Sequence, residues 1–417
     1  MYLTSLAIIL FILAAFLAWR QFRLALAGLC LLLPAYLIRL NFGLLPSTVL
    51  EVLFGAVFLV WLIKYGRSDS KQILSAIKKN KLFFILIGVF VLASILGILA
   101  SDMWWASLGQ WRAYFLEPVL VFIMIIGRRA ETETTKKDEI SANDLIWFLG
   151  LSTISVSLLA ILQKFSGFFF PPSLWDAELN GRVTSFFTTP NAIGLFIGPV
   201  LPLLLAVWPS ASKNKKIFIL AVVFLGLVAI FLSFSQGAWV ALAAALLVGL
   251  CLFSYKKWAI ALVLVGSLMI IGSASLRSAV FFEDKSGVNR LRLWSDTVGF
   301  LSVSPKNFVF GAGIRQFFRK VEKPLYNPVE MERLIYPHNL FLNFWSETGL
   351  LGLLSFAGIY IWLMLRAVGI FKKNRYWGAA LLMSLTYFLI HGLVDVPYFK
   401  NDLALLWWLI VAVIFIV

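Results

Sequence analysis

The sequence predicts an all-α membrane protein: a polytopic helical bundle of about 12–13 transmembrane helices with a long, partly helical external loop. Two observations lead to this fold class. Of the 417 residues, 61% are hydrophobic and only 13% are charged, which leaves too little polar surface for a water-soluble protein. Uncharged runs that approach the length of a membrane span, about 20 residues, also recur along the chain. We therefore expect one membrane domain over residues 1–417, and a soluble globular fold is excluded.

Thirteen apolar stretches have roughly the length of a membrane span. In chain order they cover residues 2–19, 24–38, 47–63, 82–100, 113–126, 145–163, 191–208, 217–233, 238–254, 258–272, 344–366, 377–394 and 402–417. The first stretch has no basic segment before it and no small-residue cleavage site after it, so we expect it to remain in the membrane.

The distribution of Lys and Arg predicts which ends of the spans face the cytoplasm. Alternate loops hold 21 of the 36 basic residues, whereas the opposite short loops hold only five. Because basic residues accumulate in cytoplasmic loops, this pattern places the N-terminus outside and the C-terminus inside. The other basic residues lie in one long segment, 273–343, which this topology places outside the membrane.

The predicted outer face gathers four segments: a re-entrant piece at 101–112, a loop at 164–190, a short turn at 233–237 and the long loop 273–343. Within the long loop, residues 290–300 have apolar side chains at helical spacing. The run Gly311-Ala312-Gly313 predicts a break, and a second short amphipathic stretch follows at 314–321. By contrast, the polar stretch 129–144 is predicted to be a solvated cytoplasmic loop.

Few ionisable residues fall at the outer ends of the predicted spans, and each is a functional candidate because a buried charge in a membrane is costly. His338 follows Pro337 at a helix start, where the alternative to catalysis is a capping or packing role. Glu347 lies nine residues further on. Asp395 is four residues after His391, so these two residues are either functional or brace each other across one helical turn.

The neighbouring pair Arg112 and Glu117 is predicted to form an internal ion pair. The two cysteines, Cys30 and Cys251, both lie in apolar runs, so neither a disulfide nor a metal cluster is expected. No cofactor and no nucleic-acid partner are predicted.

The external arginines point to phosphate chemistry. A guanidinium group presents a planar fork that matches phosphate oxygens and stays charged beside lipid. The external loops have no Asp-x-Asp pair and no His or Cys spacing suited to a divalent ion. A lipid diphosphate headgroup is therefore the expected ligand, and metal-independent group transfer is the expected reaction.

Five segments together resemble the O-antigen ligase and polymerase family. Residues 336–354, YPHNLFLNFWSETGLLGLL, resemble its signature, and RLRLW at 290–294 and FGAG at 310–313 are similar to the pattern that precedes the histidine. Gly181-Arg182 through Asn191 resembles the family's earlier Arg-then-Pro-Asn element. His391 to Pro397 resembles its closing His-x-x-x-Asp-x-Pro. The resemblance spans residues 180–400 and is specific as a combination.

The resemblance implies a glycosyltransferase of the bacterial cytoplasmic (inner) membrane. Such enzymes move a glycan from undecaprenyl diphosphate to an acceptor hydroxyl on the outer face, in lipopolysaccharide and other cell-envelope polysaccharide biosynthesis. By resemblance, Arg182 and Arg290 would hold the donor diphosphate and His338 would activate the acceptor for inverting attack. Supporting positions are Gln236, Glu347, His391 and Asp395.

One position departs from the family pattern. The family has Ser-Arg-Gly where this chain has Ser235-Gln236-Gly237, so a phosphate-binding arginine is replaced by a neutral amide. Three explanations stay open: Arg292 or Arg315 compensates, the donor differs, or the protein is not a ligase in the strict sense.

Other functions also fit these residues. The same site would serve a polymerase that joins polysaccharide repeat units, because only the acceptor differs. A solute transporter sharing the signature is a second alternative, although the spans show no pair of broken helices in matching halves. A third is a scaffold whose basic loop binds anionic lipid headgroups. The acceptor itself stays open between lipid A core, a polymer, a teichoic-type chain and a protein.

Overall fold

The computed structural model describes residues 2–42, 45–130, 138–167, 181–323 and 334–417. Helices dominate these residues, which confirms the predicted all-α class of polytopic bundle. Parts of three predicted loops, at 129–144, 164–190 and 273–343, lie outside the described residues.

The N-terminal part of the chain forms helices joined by short turns and one small hairpin. Its elements are α1 (Tyr2–Arg20), α2 (Phe22–Leu31), β1 (Arg39–Phe42), β2 (Leu45–Thr48), α3 (Val49–Lys64), α4 (Gly66–Lys79), α5 (Lys81–Leu99), α6 (Trp104–Trp111), α7 (Glu117–Gly127) and α8 (Ala142–Ser166).

The remaining elements are helical. They are α9 (Asn191–Ile197), α10 (Leu204–Val207), α11 (Lys213–Leu232), α12 (Gln236–Leu252), α13 (Lys256–Gly272), α14 (Ala274–Val280), α15 (Lys285–Ser302), α16 (Pro305–Phe310), α17 (Leu340–Lys373), α18 (Arg375–Gly392) and α19 (Asn401–Ile416).

Each of the thirteen predicted spans coincides with helical structure, but fewer helices are long enough to cross a membrane unaided. Five described helical segments have the necessary length and apolar composition, or seven if each of two bent pairs forms one span. The bent pairs are α3 with α4, at 93°, and α13 with the segment Ala274–Ser302, at 107°. Five shorter apolar helices occupy other predicted positions. The total of 12–13 spans stays a prediction.

Two local elements differ from the prediction. After α2 the chain makes a helical turn at Leu33–Leu37 and then an antiparallel hairpin, β1 paired with β2, inside what was predicted as a span and its loop. The predicted re-entrant piece at 101–112 is wrong in detail. There α6 continues through one π-helical turn, Arg112–Leu116, into α7, so Trp104–Gly127 forms one long helix.

The C-terminal helix α19 lies at the centre of the core. It is apolar on every side, and both Trp407 and Trp408 are fully buried. Such a helix has no polar face to turn towards water, so it is surrounded by other helices. By contrast, α13 buries only Ala259 and exposes Leu264 and Ile271, as expected of a lipid-facing helix.

Polar contacts link loops that were predicted to share a side of the membrane. At one end, Arg23 pairs with Asp144, and the Tyr65 hydroxyl donates to Asp138 at 2.9 Å. At the other end, Glu51 caps α3 and also accepts from Arg112 at 2.8 Å. Arg112 further pairs with Glu117 at 3.1 Å, which confirms that predicted ion pair. These contacts support the alternating topology, while its absolute orientation stays a prediction.

The helix α17 is broken at Gly349, and the break is filled by the loop after α16. Gly349 has φ 72° and ψ −179°, which interrupts the helical hydrogen bonds. The carbonyl of Ser346 instead accepts from the backbone amides of Ala312 at 2.6 Å and Gly313 at 3.2 Å. Satisfying such groups within the protein is what permits irregular backbone in a membrane bundle.

Side chains are excluded from this crossing of backbones. A Cβ on Gly349 would overlap the carbonyl oxygen of Val309, and one on Gly311 would overlap the carbonyls of Trp345 and Ser346. Both glycines also have positive φ values, near 70°, that L-amino acids rarely adopt. The glycines of FGAG at 310–313 and of Thr348-Gly349-Leu350 therefore have a packing role.

The crossing yields a stability prediction. Gly349→Ala should destabilise the protein by at least about 2 kcal/mol, because the new methyl group meets backbone and the residue keeps an unfavourable φ. The matched control is Gly369→Ala in the same helix, where an added Cβ has nothing within 4 Å. Thermal unfolding of both variants in detergent tests this. Equal unfolding temperatures would show that the crossing is not tightly packed.

Candidate functional site

His338 and Asp395 form the centre of a polar cluster at the predicted outer end of the bundle. The Nδ1 atom of His338 lies 3.3 Å from Oδ1 of Asp395, with the imidazole 20% exposed and the carboxylate 6% exposed. His338 has φ 50°, an unusual value for a residue with a side chain. Held in this way, the imidazole keeps Nε2 available for a substrate.

The structure gives the capping role at the start of α17 to a different residue. Asn339, not His338, is the N-cap, and its Oδ1 accepts from the amides of Phe341 and Leu342 at 3.0 Å. The Asn339 amide group also donates to the carbonyl of Leu393 at 3.0 Å, which ties α17 to the end of α18. The alternative that His338 serves as a cap is therefore wrong.

Asp395 connects His338 to Arg182 through Asn191. The Asn191 amide group donates to Oδ2 of Asp395 at 3.4 Å, and its oxygen accepts from Arg182 at 2.9 Å. The second Asp395 oxygen, Oδ1, also accepts from the amide of Val396 at 2.9 Å. Both carboxylate oxygens are thus held, which fixes the face that Asp395 presents to the imidazole.

Two arginines from different segments reach this cluster, and each binds backbone near a helix end. Arg182 Nε donates to the carbonyl of Ser233, just after α11, at 2.8 Å. Arg290 Nε, on α15, donates to the carbonyl of Val394, just after α18, at 2.9 Å. Cations are favoured at helix C-termini, where carbonyl groups lack partners. Folding therefore brings the two guanidinium groups together.

In this cluster one carboxylate, Asp395, lies among several cationic or basic groups, and this arrangement determines the pKa shifts. Burial lowers the pKa of Arg182, and the nearby charge of Arg290 lowers it further. Burial would raise the pKa of Asp395, but His338, His391 and Arg290 outweigh it, so the pKa lies well below its usual range. Asp395 is therefore ionised at neutral pH. Arg182 and Arg290 repel each other, which favours an anion between them.

His391 is buried behind Asp395, where glycines allow neighbouring helices to approach it. A Cβ on Gly237 would lie 3.1 Å from Cδ2 of His391, and one on Gly194 would lie 3.2 Å from Cε1. Neither imidazole nitrogen has a hydrogen-bond partner among the described residues. The side chains of His391 and Asp395 therefore share no hydrogen bond, since the carboxylate contacts His338 instead, and the interaction between these two residues is electrostatic.

Gln236 occupies the first turn of α12 and is exposed. It lies between Ser233, whose carbonyl binds Arg182, and Gly237, which packs on His391. The departure from the family pattern thus falls on the rim of the polar cluster.

Arg292 does not join Arg182 and Arg290. It lies two residues after Arg290 on α15 and forms ion pairs with Asp296 at 3.4 Å and Glu322 at 3.6 Å. Residues two apart on a helix project from different faces, so only one of the two arginines can reach Asp395.

Arg315 and Glu347 lie together in a separate cavity of about 570 Å³. Glu347 is buried and accepts from the Gln110 amide group at 3.0 Å. Tyr336 also lines this cavity, and its ring packs edge-on against His338 with centroids 5.1 Å apart. The cavity and the His338 cluster are therefore neighbours that share one aromatic side chain.

Sequence reasoning missed two features of the site. Asn191 belongs to the quoted Thr-Pro-Asn element, yet its part in linking Arg182 to Asp395 depends on contacts between distant segments. The cavity residues Arg39 and Arg319 were noticed only as basic residues outside the spans. No local pattern indicates that they face a common space.

The geometry suits transfer of a group from an anionic leaving group. An imidazole with a carboxylate on one nitrogen can accept a proton at the other, and paired guanidinium groups can bind diphosphate oxygens. Within the described ranges, no group of three or more His, Cys, Asp or Glu is placed to hold a metal ion.

Comparison with protein families supports the resemblance drawn from the motifs. Residues 221–357 match the family model described as O-antigen ligase, Wzy_C. The matched region contains Arg290 and His338, while Arg182 and Asp395 fall outside it on either side. A search among curated proteins finds no match.

The charge balance of the cluster yields a second prediction. Asp395→Asn should lower stability by about 1–3 kcal/mol, because Arg182 and Arg290 would repel each other without a counter-charge. Thermal unfolding should also respond to added sulfate more strongly than in the wild type. Glu283→Gln, which removes an exposed carboxylate before α15, is the control. A variant as stable as the wild type would mean that the arginine charges are balanced elsewhere.

Proposed function

We propose that this protein is a membrane glycosyltransferase that moves a glycan from undecaprenyl diphosphate to an acceptor hydroxyl on the outer face of the cytoplasmic membrane. The observation that carries the proposal is the convergence of His338, Asp395, Arg182 and Arg290. The O-antigen ligase match over residues 221–357 supports the same class.

In the proposed reaction the acceptor oxygen attacks the anomeric carbon of the first sugar. The bond from that carbon to the diphosphate oxygen breaks, and undecaprenyl diphosphate leaves with the bonding electrons. The acceptor proton passes to Nε2 of His338 and then to solvent. Attack from the face opposite to the leaving group inverts the anomeric configuration.

Asp395 acts as a positioning residue in this scheme. With Nδ1–H of His338 directed at its carboxylate, the lone pair lies on Nε2, where the acceptor proton must go. The carboxylate also stabilises the imidazolium that forms during attack. The unusual φ of His338 is then backbone strain stored at a reacting group.

Arg182 and Arg290 are the proposed diphosphate ligands. Each uses Nε for a backbone carbonyl, and N–H groups remain at the far side of both forks. The leaving group gains negative charge as the bond breaks, so preorganised cations lower the barrier without a metal ion. The first turn of α12, at Gln236, adds the positive end of a helix dipole on the same rim.

The domain and location follow from this proposal. We place the whole chain in one membrane domain, with residues 180–400 as the ligase-like region and the N-terminus outside. Joining repeat units to a polymer would use the same four residues, so a polymerase differs only in its acceptor. Lipid, glycan and protein acceptors all supply the required hydroxyl.

The decisive measurement is release of undecaprenyl diphosphate in native envelope vesicles, which contain the natural acceptor. His338→Ala should reduce release by about 10²–10⁴-fold, because the acceptor loses its general base. Binding of undecaprenyl diphosphate should change little. Arg277→Ala is the control, since Arg277 is exposed on α14 and binds only the nearby carbonyl of Ile271.

If His338→Ala still releases undecaprenyl diphosphate at the wild-type rate, His338 is not the general base. If the wild type itself releases no undecaprenyl diphosphate from an intact, accessible donor, group transfer is wrong. Solute flux in proteoliposomes would then be the next assay.

The donor site is tested separately by Arg290→Lys and Arg182→Lys. Each keeps a positive charge but loses the fork that joins a backbone carbonyl to the ligand, so affinity for undecaprenyl diphosphate should fall by about tenfold. Arg277→Lys serves as the matched control. Unchanged affinity in both variants would place the diphosphate elsewhere.

A further inference from the structure

The cavity that contains Arg315 and Glu347 is the second place on the outer side where unneutralised charges converge. Its volume, about 570 Å³, falls within the range of sites for small ligands, about 300–1,000 Å³. The walls are aromatic and come from distant segments of the chain: Tyr114, Phe318, Tyr336 and Phe399. Rings of this kind can cover the apolar faces of a sugar.

Three exposed arginines line the opening of this cavity. Among the described residues, the side chains of Arg39, Arg315 and Arg319 make no hydrogen bond and no ion pair, and all three are exposed. They differ in this from Arg112, Arg182, Arg290 and Arg292, which bind carboxylates, amides or carbonyls. Three guanidinium groups around one opening favour an anion there.

The deeper part of the cavity offers carboxylates. Glu51 accepts from the Ser47 hydroxyl at 2.8 Å and from the Asn401 amide group at 3.1 Å, in addition to Arg112. Glu347 accepts from Gln110. Both acids are buried, while the three arginines are exposed, so the cavity has an acidic floor and a basic opening. Sugar hydroxyls can donate to the floor while an acidic group binds at the opening.

The position of the cavity relative to His338 indicates which substrate it would hold. Tyr336 separates the cavity from the imidazole, whereas Arg182 and Arg290 lie on the side of Asp395. Inverting attack needs the acceptor and the leaving group on opposite sides of the anomeric carbon. A donor bound on the Asp395 side and an acceptor bound on the Tyr336 side would meet at the imidazole.

We propose that this cavity binds the acceptor, and that the acceptor is a saccharide bearing a phosphate or carboxylate group. The proposal rests on the transferase function above, and adds the chemical class of the second substrate. Arg39, Arg315 and Arg319 hold the acidic group, while Glu51 and Glu347 accept hydrogen bonds from hydroxyls. Arg315 is thereby assigned to the acceptor instead of the donor.

The test uses the full-length protein in lipid nanodiscs and measures binding of glucose 6-phosphate and of glucose. The wild type should bind the phosphorylated sugar at least about tenfold more tightly. The double variant with Arg39→Gln and Arg319→Gln should lose most of this preference. Arg277→Gln, which removes an exposed charge outside the cavity, should keep it. Because neither Arg39 nor Arg319 makes a side-chain hydrogen bond or ion pair among the described residues, the double variant should unfold near the wild-type temperature.

Binding of undecaprenyl diphosphate to the same variants separates the two substrates. The proposal expects the double variant to bind it like the wild type. Loss of undecaprenyl diphosphate binding would show that the donor occupies the cavity, and would overturn the acceptor assignment. Equal binding of glucose and glucose 6-phosphate by the wild type, or a preference retained by the double variant, would also overturn it.

These outcomes are independent of turnover. If release in vesicles depends on His338 but the protein shows no preference for the sugar phosphate, the transferase proposal stands and only the acceptor-site proposal is refuted. If the protein in nanodiscs prefers glucose 6-phosphate but vesicles release no undecaprenyl diphosphate, the cavity is a saccharide-phosphate site and the transferase proposal is refuted.

Discussion

The crossing of three backbone segments at Gly349 is the constraint on which the His338 cluster and the neighbouring cavity depend. The loop after α16 enters the break in α17, and the amide of Ile314 continues to the carbonyl of Gly97 on α5 at 3.0 Å. Glu347 precedes the break and Arg315 follows the crossing loop, so one packing arrangement places both in the cavity. The short first half of α17 also carries His338 at its head. A straight helix would leave no opening for this loop.

Asp395 has a comparable role in the electrostatics. One carboxylate balances Arg290 directly, reaches Arg182 through Asn191 and orients His338. A single carboxylate carries one negative charge and cannot neutralise both arginines. The cluster therefore keeps an excess of positive charge, which favours an anion near the two guanidinium groups. A neutral side chain in place of Asp395 would change both charge and proton transfer.

The sequence predicted the helices well because hydrophobic length is a local property, and four of the motif residues, Arg182, Arg290, His338 and Asp395, do come together. It failed where the outcome depends on contacts between distant segments. His391 and Asp395 are four residues apart, and the amide of Asp395 donates to the carbonyl of His391 at 3.0 Å, yet their side chains do not hydrogen-bond each other. The partner of Asp395 is instead His338, which is 57 residues away. The hairpin at Arg39–Thr48 was missed because its two strands are only four residues long and fall mostly in a short connection between two predicted spans.

The neutral Gln236 can be understood from the same charges. An arginine at this exposed position would stand beside Arg182, whose pKa is already lowered by burial and by Arg290. A third cation would raise the repulsion among these groups, and a bound anion would offset it. Glutamine lowers that repulsion, and in the proposed donor site it would leave the diphosphate to Arg182, Arg290 and the first turn of α12. On this proposal the neutral residue lowers donor affinity but stabilises the protein when no anion is bound.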